Sequence, residues 1–223
     1  MSELTQLNSV NGHLAKPGGK GPWPAVVVIQ EWWGLDEQTK SIADRFAKEG
    51  YLAFAPDLFH GELAQLGDGD TAMKLAQKYG PTAANDLNKV FDGLKDHPDV
   101  NGKVGSVGFC FGGRMSLILS TMRPLNAVCT FYGGGMQTVF DQLRAKLRAP
   151  VLAFFGDADV SIPAGTVEEF DKLLDAVGVE HEVITYPKSG HAFFRDSDPS
   201  VYKPEAAKDA WERVKKFFKK NLS

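Results

Sequence analysis

Short apolar runs rich in β-branched and aromatic residues recur along the chain, each closed by turn residues, at 25–30, 51–55, 104–109, 127–132, 151–155 and 182–186. Apolar runs this short, without alternation, read as strands buried on both faces, the kind found inside parallel sheets. Between them, apolar positions recur at three- and four-residue spacing. Residues 36–49 put Ile42, Ala43, Phe46 and Ala47 on one helical face. Residues 81–95 do the same with Leu87, Val90, Phe91 and Leu94, and Pro81 suits a first turn. Helices are also predicted over 112–122, 163–177 and 204–221. The last turns Ala207, Ala210, Trp211, Val214, Phe217 and Phe218 inward. Its outward Lys215, Lys216, Lys219 and Lys220 read as a solvated helix end that complements the macrodipole.

This alternation predicts a three-layer α/β/α sandwich with a mostly parallel central sheet. No Ser/Gly linker, low-complexity tract or fixed-period repeat interrupts it, so residues 1–223 are expected to form a single domain. In such folds the chemistry gathers in loops at the carboxyl ends of the strands.

Composition narrows the class. Of 223 residues, 43% are hydrophobic and 24% charged, which suits a packed core and excludes disorder. The net charge of −3 argues against a general nucleic-acid binder. No apolar run approaches a membrane span, and Met1-Ser2-Glu3-Leu4-Thr5-Gln6 has no basic segment leading into an apolar one. A cytoplasmic protein is expected, without nucleic-acid or membrane partners. The two cysteines, Cys110 and Cys129, form neither a disulfide framework nor a zinc-ligand spacing, so no metal is expected.

The strand at 104–109 runs into Gly108-Phe109-Cys110-Phe111-Gly112-Gly113 and then a helix. This is a glycine-flanked nucleophile turn with Cys at the centre. The glycines have a steric reason: a nucleophile on so tight a strand-to-helix turn leaves no room for neighbouring side chains. At the helix N-terminus the partial positive charge favours thiolate, and the Phe111 N–H points to where a substrate oxyanion forms. No phosphate-binding loop or dinucleotide fingerprint is present. Asp159 then follows in Gly156-Asp157-Ala158-Asp159 at a strand end, and His191 follows in a Gly190-His191 turn after the strand at 182–186. The order nucleophile, acid, histidine is that of the α/β-hydrolase fold. In that arrangement His191 takes the thiol proton and Asp159 fixes the imidazole tautomer.

Taken together, several segments resemble the dienelactone hydrolases, or carboxymethylenebutenolidases, a cysteine-using branch of the α/β-hydrolase fold. They are Gln30-Glu31-Trp32-Trp33-Gly34, Ala55-Pro56-Asp57-Leu58, the Cys110 turn, Gly156-Asp157-Ala158-Asp159 and Gly190-His191-Ala192-Phe193. The resemblance runs from about Ala25 to the final helix. It implies catalytic Cys110, Asp159 and His191 with Glu31 close to the thiol, and oxyanion N–H groups at Trp32 and Phe111. It implies hydrolysis of a carboxylate-bearing ester or enol-lactone through a thioester, without a cofactor, and places Arg195 at the substrate carboxylate. One departure stands out. The family's lactonases carry a second carboxylate-binding arginine after Ala55-Pro56-Asp57, and this chain has no Arg between Arg45 and Arg114. His60, Lys74 and Lys78 are the replacements at hand, and none is a geometric equivalent of a guanidinium.

Plainer readings compete at each position. A buried core thiol is the alternative for Cys110 and the expected state of Cys129, which sits mid-strand. Asp157 is read as a turn residue beside Asp159. His13, His97 and His181 read as surface or turn residues, and His60 as a substrate contact at the pocket mouth. Two or three of Trp32, Trp33, Phe59, Phe193 and Phe194 are expected to line an aromatic pocket, with Trp33 and Phe193 as substrate contacts. Glu31, if aimed at the sulfur, opposes thiolate by repulsion until substrate displaces it. The chain leaves little room for a large lid, and a monomer or weak homodimer acting on a small-molecule ester or lactone is expected. Two alternatives are a generalist carboxylesterase and a non-catalytic ligand-binding member of the fold.

Overall fold

A computed structural model describes residues 5–223; Met1–Leu4, part of the stretch read for a leader, lie outside the described residues. Eight strands form one sheet in the order β1-β2-β4-β3-β5-β6-β7-β8. They are β1 (Thr5–Leu7), β2 (Val10–Ala15), β3 (Trp23–Ile29), β4 (Leu52–Pro56), β5 (Val100–Phe109), β6 (Ala127–Phe131), β7 (Val151–Gly156) and β8 (His181–Tyr186). The strands from β3 to β8 run parallel, as the apolar runs predicted. The antiparallel β1 and β2 extend the sheet beyond β4. The alternation in β2 is short, and its glycine hides it: a Cβ at Gly12 would meet the Ala55 carbonyl oxygen at 2.5 Å.

Helices cover both faces, which makes the three-layer α/β/α sandwich. On one face lie α1 (Glu37–Lys48) and α6 (Pro204–Leu222), joined where the Phe46 ring meets Trp211 and Phe218. On the other lie α2 (Gly69–Lys95), α3 (Phe111–Met122), α4 (Phe140–Lys146) and α5 (Ala164–Val177). Within α6, Trp211 and Phe217 are only half-buried, while Val214 and Phe218 are fully covered. The start of α2 corrects the prediction at Pro81. Asp68 caps the helix by accepting from Thr71 N at 3.1 Å, and Pro81 lies in the interior. Burial of Ala72 and Leu75 upstream outweighs the backbone bond that the proline removes.

His13 is a second correction. It is buried in β2, with Nε2 2.7 Å from Asp44 Oδ1 on α1, because a buried imidazole needs a polar partner.

Strand register carries the site. Ile29 pairs with Gly108, Phe109 with Phe131, and Gly156 with Tyr186. The residues just beyond β3, β5, β6, β7 and β8 therefore emerge side by side at one edge of the sheet. Those residues include Glu31, Cys110, Tyr132, Asp159 and His191.

Candidate active site

Cys110 joins β5 to α3 with φ 54° and ψ −115°, a backbone state costly for any side chain with a Cβ. Its N–H donates to the Phe131 carbonyl at 3.0 Å, and its own carbonyl accepts from Gly113 N at 3.0 Å. The surrounding glycines are obligatory. A Cβ at Gly108 would lie 1.9 Å from Gly112 O, and one at Gly112 would lie 2.3 Å from Ile29 O. One at Gly113 would lie 2.7 Å from Phe131 O. The start of α3 is thus pressed between the ends of β3 and β6. Gly113 N in its first turn donates back to Cys110 O, and the Phe111 N–H, at the first position, has no carbonyl four residues back within α3 to bond. Trp32 leaves β3 beside this turn, its ring edge-on to that of Trp33 at 5.3 Å, and both rings are half-buried.

The acid and the histidine come from neighbouring loops held in close contact. Ala158 N donates to Ser189 O at 3.0 Å, and a Cβ at Gly156 would lie 2.1 Å from that same oxygen. This brings Asp159 Oδ2 within 2.7 Å of His191 Nδ1. Ser161, which sequence reasoning passed over, donates N–H and hydroxyl to Asp159 Oδ1 at 2.9 and 2.5 Å. Its Oγ also lies 3.2 Å from His191 Nδ1. Asp157 acts as a turn residue, accepting from Lys188 N at 2.6 Å.

These contacts set the charges. Burial disfavours the His191 imidazolium, but hydrogen bonds to Asp159 and Cys110, with their charge, outweigh it and push the pKa up to about 10. For Asp159, burial is outweighed by hydrogen bonds from His191 and Ser161, and its carboxyl is held below the ordinary value. Burial pushes the Cys129 thiol well up, as fits a core residue of β6.

Glu31 is buried, and both its oxygens are engaged. Oε2 accepts from Arg195 Nη1 at 2.7 Å and Oε1 accepts from the Tyr132 hydroxyl at 3.2 Å. Burial raises its pKa, opposed chiefly by Arg195. Tyr132 joins the site without any motif to mark it. It follows β6 at φ 37°, and its ring centroid lies 5.0 Å from that of His191.

Three expected substrate contacts are packed or paired within the chain. Phe193 is fully buried among Phe131, Tyr132 and Tyr186, so it packs the core and does not line a pocket. His60 is half-exposed, with Nε2 3.3 Å from Asp86 on α2 and its ring 5.2 Å from that of Tyr79. Arg195 is buried, with its guanidinium on Glu31 and Asp36. Phe59 and Phe194 are also core, which leaves Trp32 and Trp33 as the accessible rings of that set. Lys78, offered as a replacement for the missing arginine, is bound to Glu62. Among the described residues no cluster of three His, Cys, Asp or Glu side chains could hold a metal, and no helix is long and apolar enough to cross a membrane.

A largely parallel sheet with a strained, glycine-flanked turn at Cys110 after β5, and a hydrogen-bonded Asp159–His191 pair beyond later strands, is the arrangement of the α/β-hydrolase fold. Comparison with known proteins narrows this. Residues 10–222 match the model of the dienelactone hydrolase family, and the chain belongs to that family. It is 33% identical to a Synechocystis protein provisionally named carboxymethylenebutenolidase, over 96% of this chain and 92% of the relative. A crystal structure provisionally named dienelactone hydrolase, from Klebsiella pneumoniae, superposes with a TM-score of 0.84 at 32% identity, covering 94% of this chain and 92% of that one. A dienelactone hydrolase from Anabaena variabilis shares the fold at a TM-score of 0.74 and 17% identity, covering 100% of this chain and 98% of that one.

Proposed function

We propose that this protein is a thiol-dependent hydrolase of small carboxylic esters or enol-lactones, working through a thioester. The observation that carries the reading is Cys110, held at positive φ on the glycine turn, with the hydrogen-bonded Asp159–His191 pair at the same strand edge. His191 holds the thiol proton as an imidazolium beside the Cys110 thiolate, and the thiolate attacks the acyl carbon. The resulting oxyanion is held by the N–H groups of Trp32 and Phe111. Collapse breaks the acyl C–O bond, and His191 returns the proton to the leaving oxygen. Water then adds to the thioester while His191 takes its proton, and the acid leaves as the thiol is restored. Asp159 keeps Nδ1 protonated so that Nε2 faces the sulfur, and stabilises the imidazolium. No step calls for a cofactor.

The test uses p-nitrophenyl acetate with wild type and Cys110→Ala. Turnover that depends on Cys110, with an acyl adduct on that residue seen by mass spectrometry after rapid quench, is the expected result. Turnover unchanged in Cys110→Ala rejects the mechanism. Absence of turnover with small esters and with dienelactone alike returns the protein to the ligand-binding alternative.

A further inference from the structure

Arginine four residues after the catalytic histidine is well suited to hold a carboxylate through paired N–H bonds. In this chain that capacity is taken. Arg195 is 5% exposed, Nη1 donates to Glu31 Oε2 at 2.7 Å, and Nη2 donates to Asp36 Oδ2. Asp36 is fixed from its other side. As the N-cap of α1, its Oδ1 accepts from Thr39 N at 3.0 Å and from the Thr39 hydroxyl at 2.9 Å. The segment after Arg195 is tied to the same helix, where Ser197 N donates to Gln38 Oε1 at 3.1 Å. Arg195 therefore fastens the histidine loop to the start of α1.

We propose that Asp36 is a specificity-determining residue: it keeps Arg195 from substrate, so the site takes uncharged esters and lactones in preference to those bearing a carboxylate. This rests on the reading of Cys110 as an ester-hydrolysing nucleophile. Two carboxyl groups already surround one guanidinium. A third, arriving on substrate, meets repulsion that is strong in a poorly hydrated site. To bind, it must displace Glu31 or Asp36 from the guanidinium, and whichever is displaced becomes a carboxylate without its cation in a buried site. An uncharged acyl group asks for neither change. Lys78 offers no second anchor, since Glu62 and the Tyr79 hydroxyl share one ion-pair network with it.

The experiment compares p-nitrophenyl butyrate with mono-p-nitrophenyl succinate, esters of similar length that differ by a carboxylate. Wild type is expected to favour the butyrate in kcat/KM by about ten- to hundredfold, the range of one charge-assisted hydrogen bond gained or denied. Asp36→Asn keeps an oxygen to cap α1 and removes the charge. It should raise kcat/KM for the succinyl ester by about tenfold, through KM, and leave the butyrate within about twofold. Succinate alone should raise the Tm of Asp36→Asn and leave that of wild type unchanged. Should Asp36→Asn fold poorly, Asp36→Ser caps the helix through its hydroxyl and carries the same expectation. A wild type that prefers the succinyl ester, or a folded variant with an unchanged preference, overturns the proposal. If Cys110→Ala hydrolyses both esters like wild type, the hydrolytic reading has failed, and the succinate-dependent Tm still decides the role of Asp36.

Discussion

Asp159 Oδ2 and His191 Nδ1 lie 2.7 Å apart, across two loops that share the Ser189 carbonyl as their contact point. The pair holds Nδ1 protonated and fixes the orientation of the ring. Asp159→Asn preserves shape but donates where the carboxylate accepts, which favours the wrong tautomer. We expect kcat to fall by about a thousandfold or more with small effect on KM, measured with p-nitrophenyl acetate. A loss below about tenfold would mean that Asp159 does not orient the base.

Ser161 sits beneath this pair. Its backbone N–H would still bind Asp159 after Ser161→Ala, so that variant removes the hydroxyl alone. A single hydrogen bond to a charged group supports an expected loss in kcat of about tenfold, with Ser161→Thr restoring most of it. Wild-type rates in Ser161→Ala would assign the hydroxyl to the turn and not to the acid.

Backbone crowding makes a separate prediction for the glycines. At Gly108 an added Cβ meets Gly112 O at 1.9 Å, and neither strand nor turn can retreat from the other. Gly108→Ala should lower stability by about 3 kcal/mol or more, read as a drop in denaturant midpoint, and should abolish turnover. Gly165→Ala, where a Cβ meets nothing within 4 Å on the exposed side of α5, should leave both near wild type.

Elements buried on both faces were the legible part of this chain. The runs at 25–30, 104–109 and 151–155 became β3, β5 and β7 with small changes of boundary, because continuous apolar composition has few other uses. The edge strand β1 and its antiparallel neighbour β2 were not legible: β1 is three residues long and mostly exposed, and β2 carries the polar or small Asn11, Gly12 and His13 at its centre. The 3₁₀ turn Met136–Val139 and α4 did leave a trace: Met136, Val139, Phe140 and Leu143 are buried at helical spacing. At the site, Cys110 and the glycines around it carried a local steric signature. Ser161, Tyr132 and Asp36 carried none. Their roles come from loops that meet only in three dimensions, and Arg195 could not be known as engaged until Asp36 stood beside it.

The raised pKa of His191 ties stability to pH with a definite sign. Its ordinary value is 6.5, and the folded protein holds it up to about 10. A group whose folded pKa lies above its unfolded one contributes stability that is complete below the unfolded value and is lost as pH rises through the folded one. Wild type should therefore lose Tm between about pH 7 and pH 10, over the window that separates the two states of this imidazole. Other groups titrate in that range, so the informative quantity is the difference from His191→Gln, which cannot take up the proton. That difference should be largest near neutral pH and shrink towards pH 10. Asp159 acts in the opposite sense at the acid end, where its lowered carboxyl loses its contribution as pH falls below the ordinary 3.8. A wild-type-minus-variant Tm that stays flat from neutral to alkaline pH would show that the imidazolium gains nothing from Asp159 and Cys110 in the folded chain.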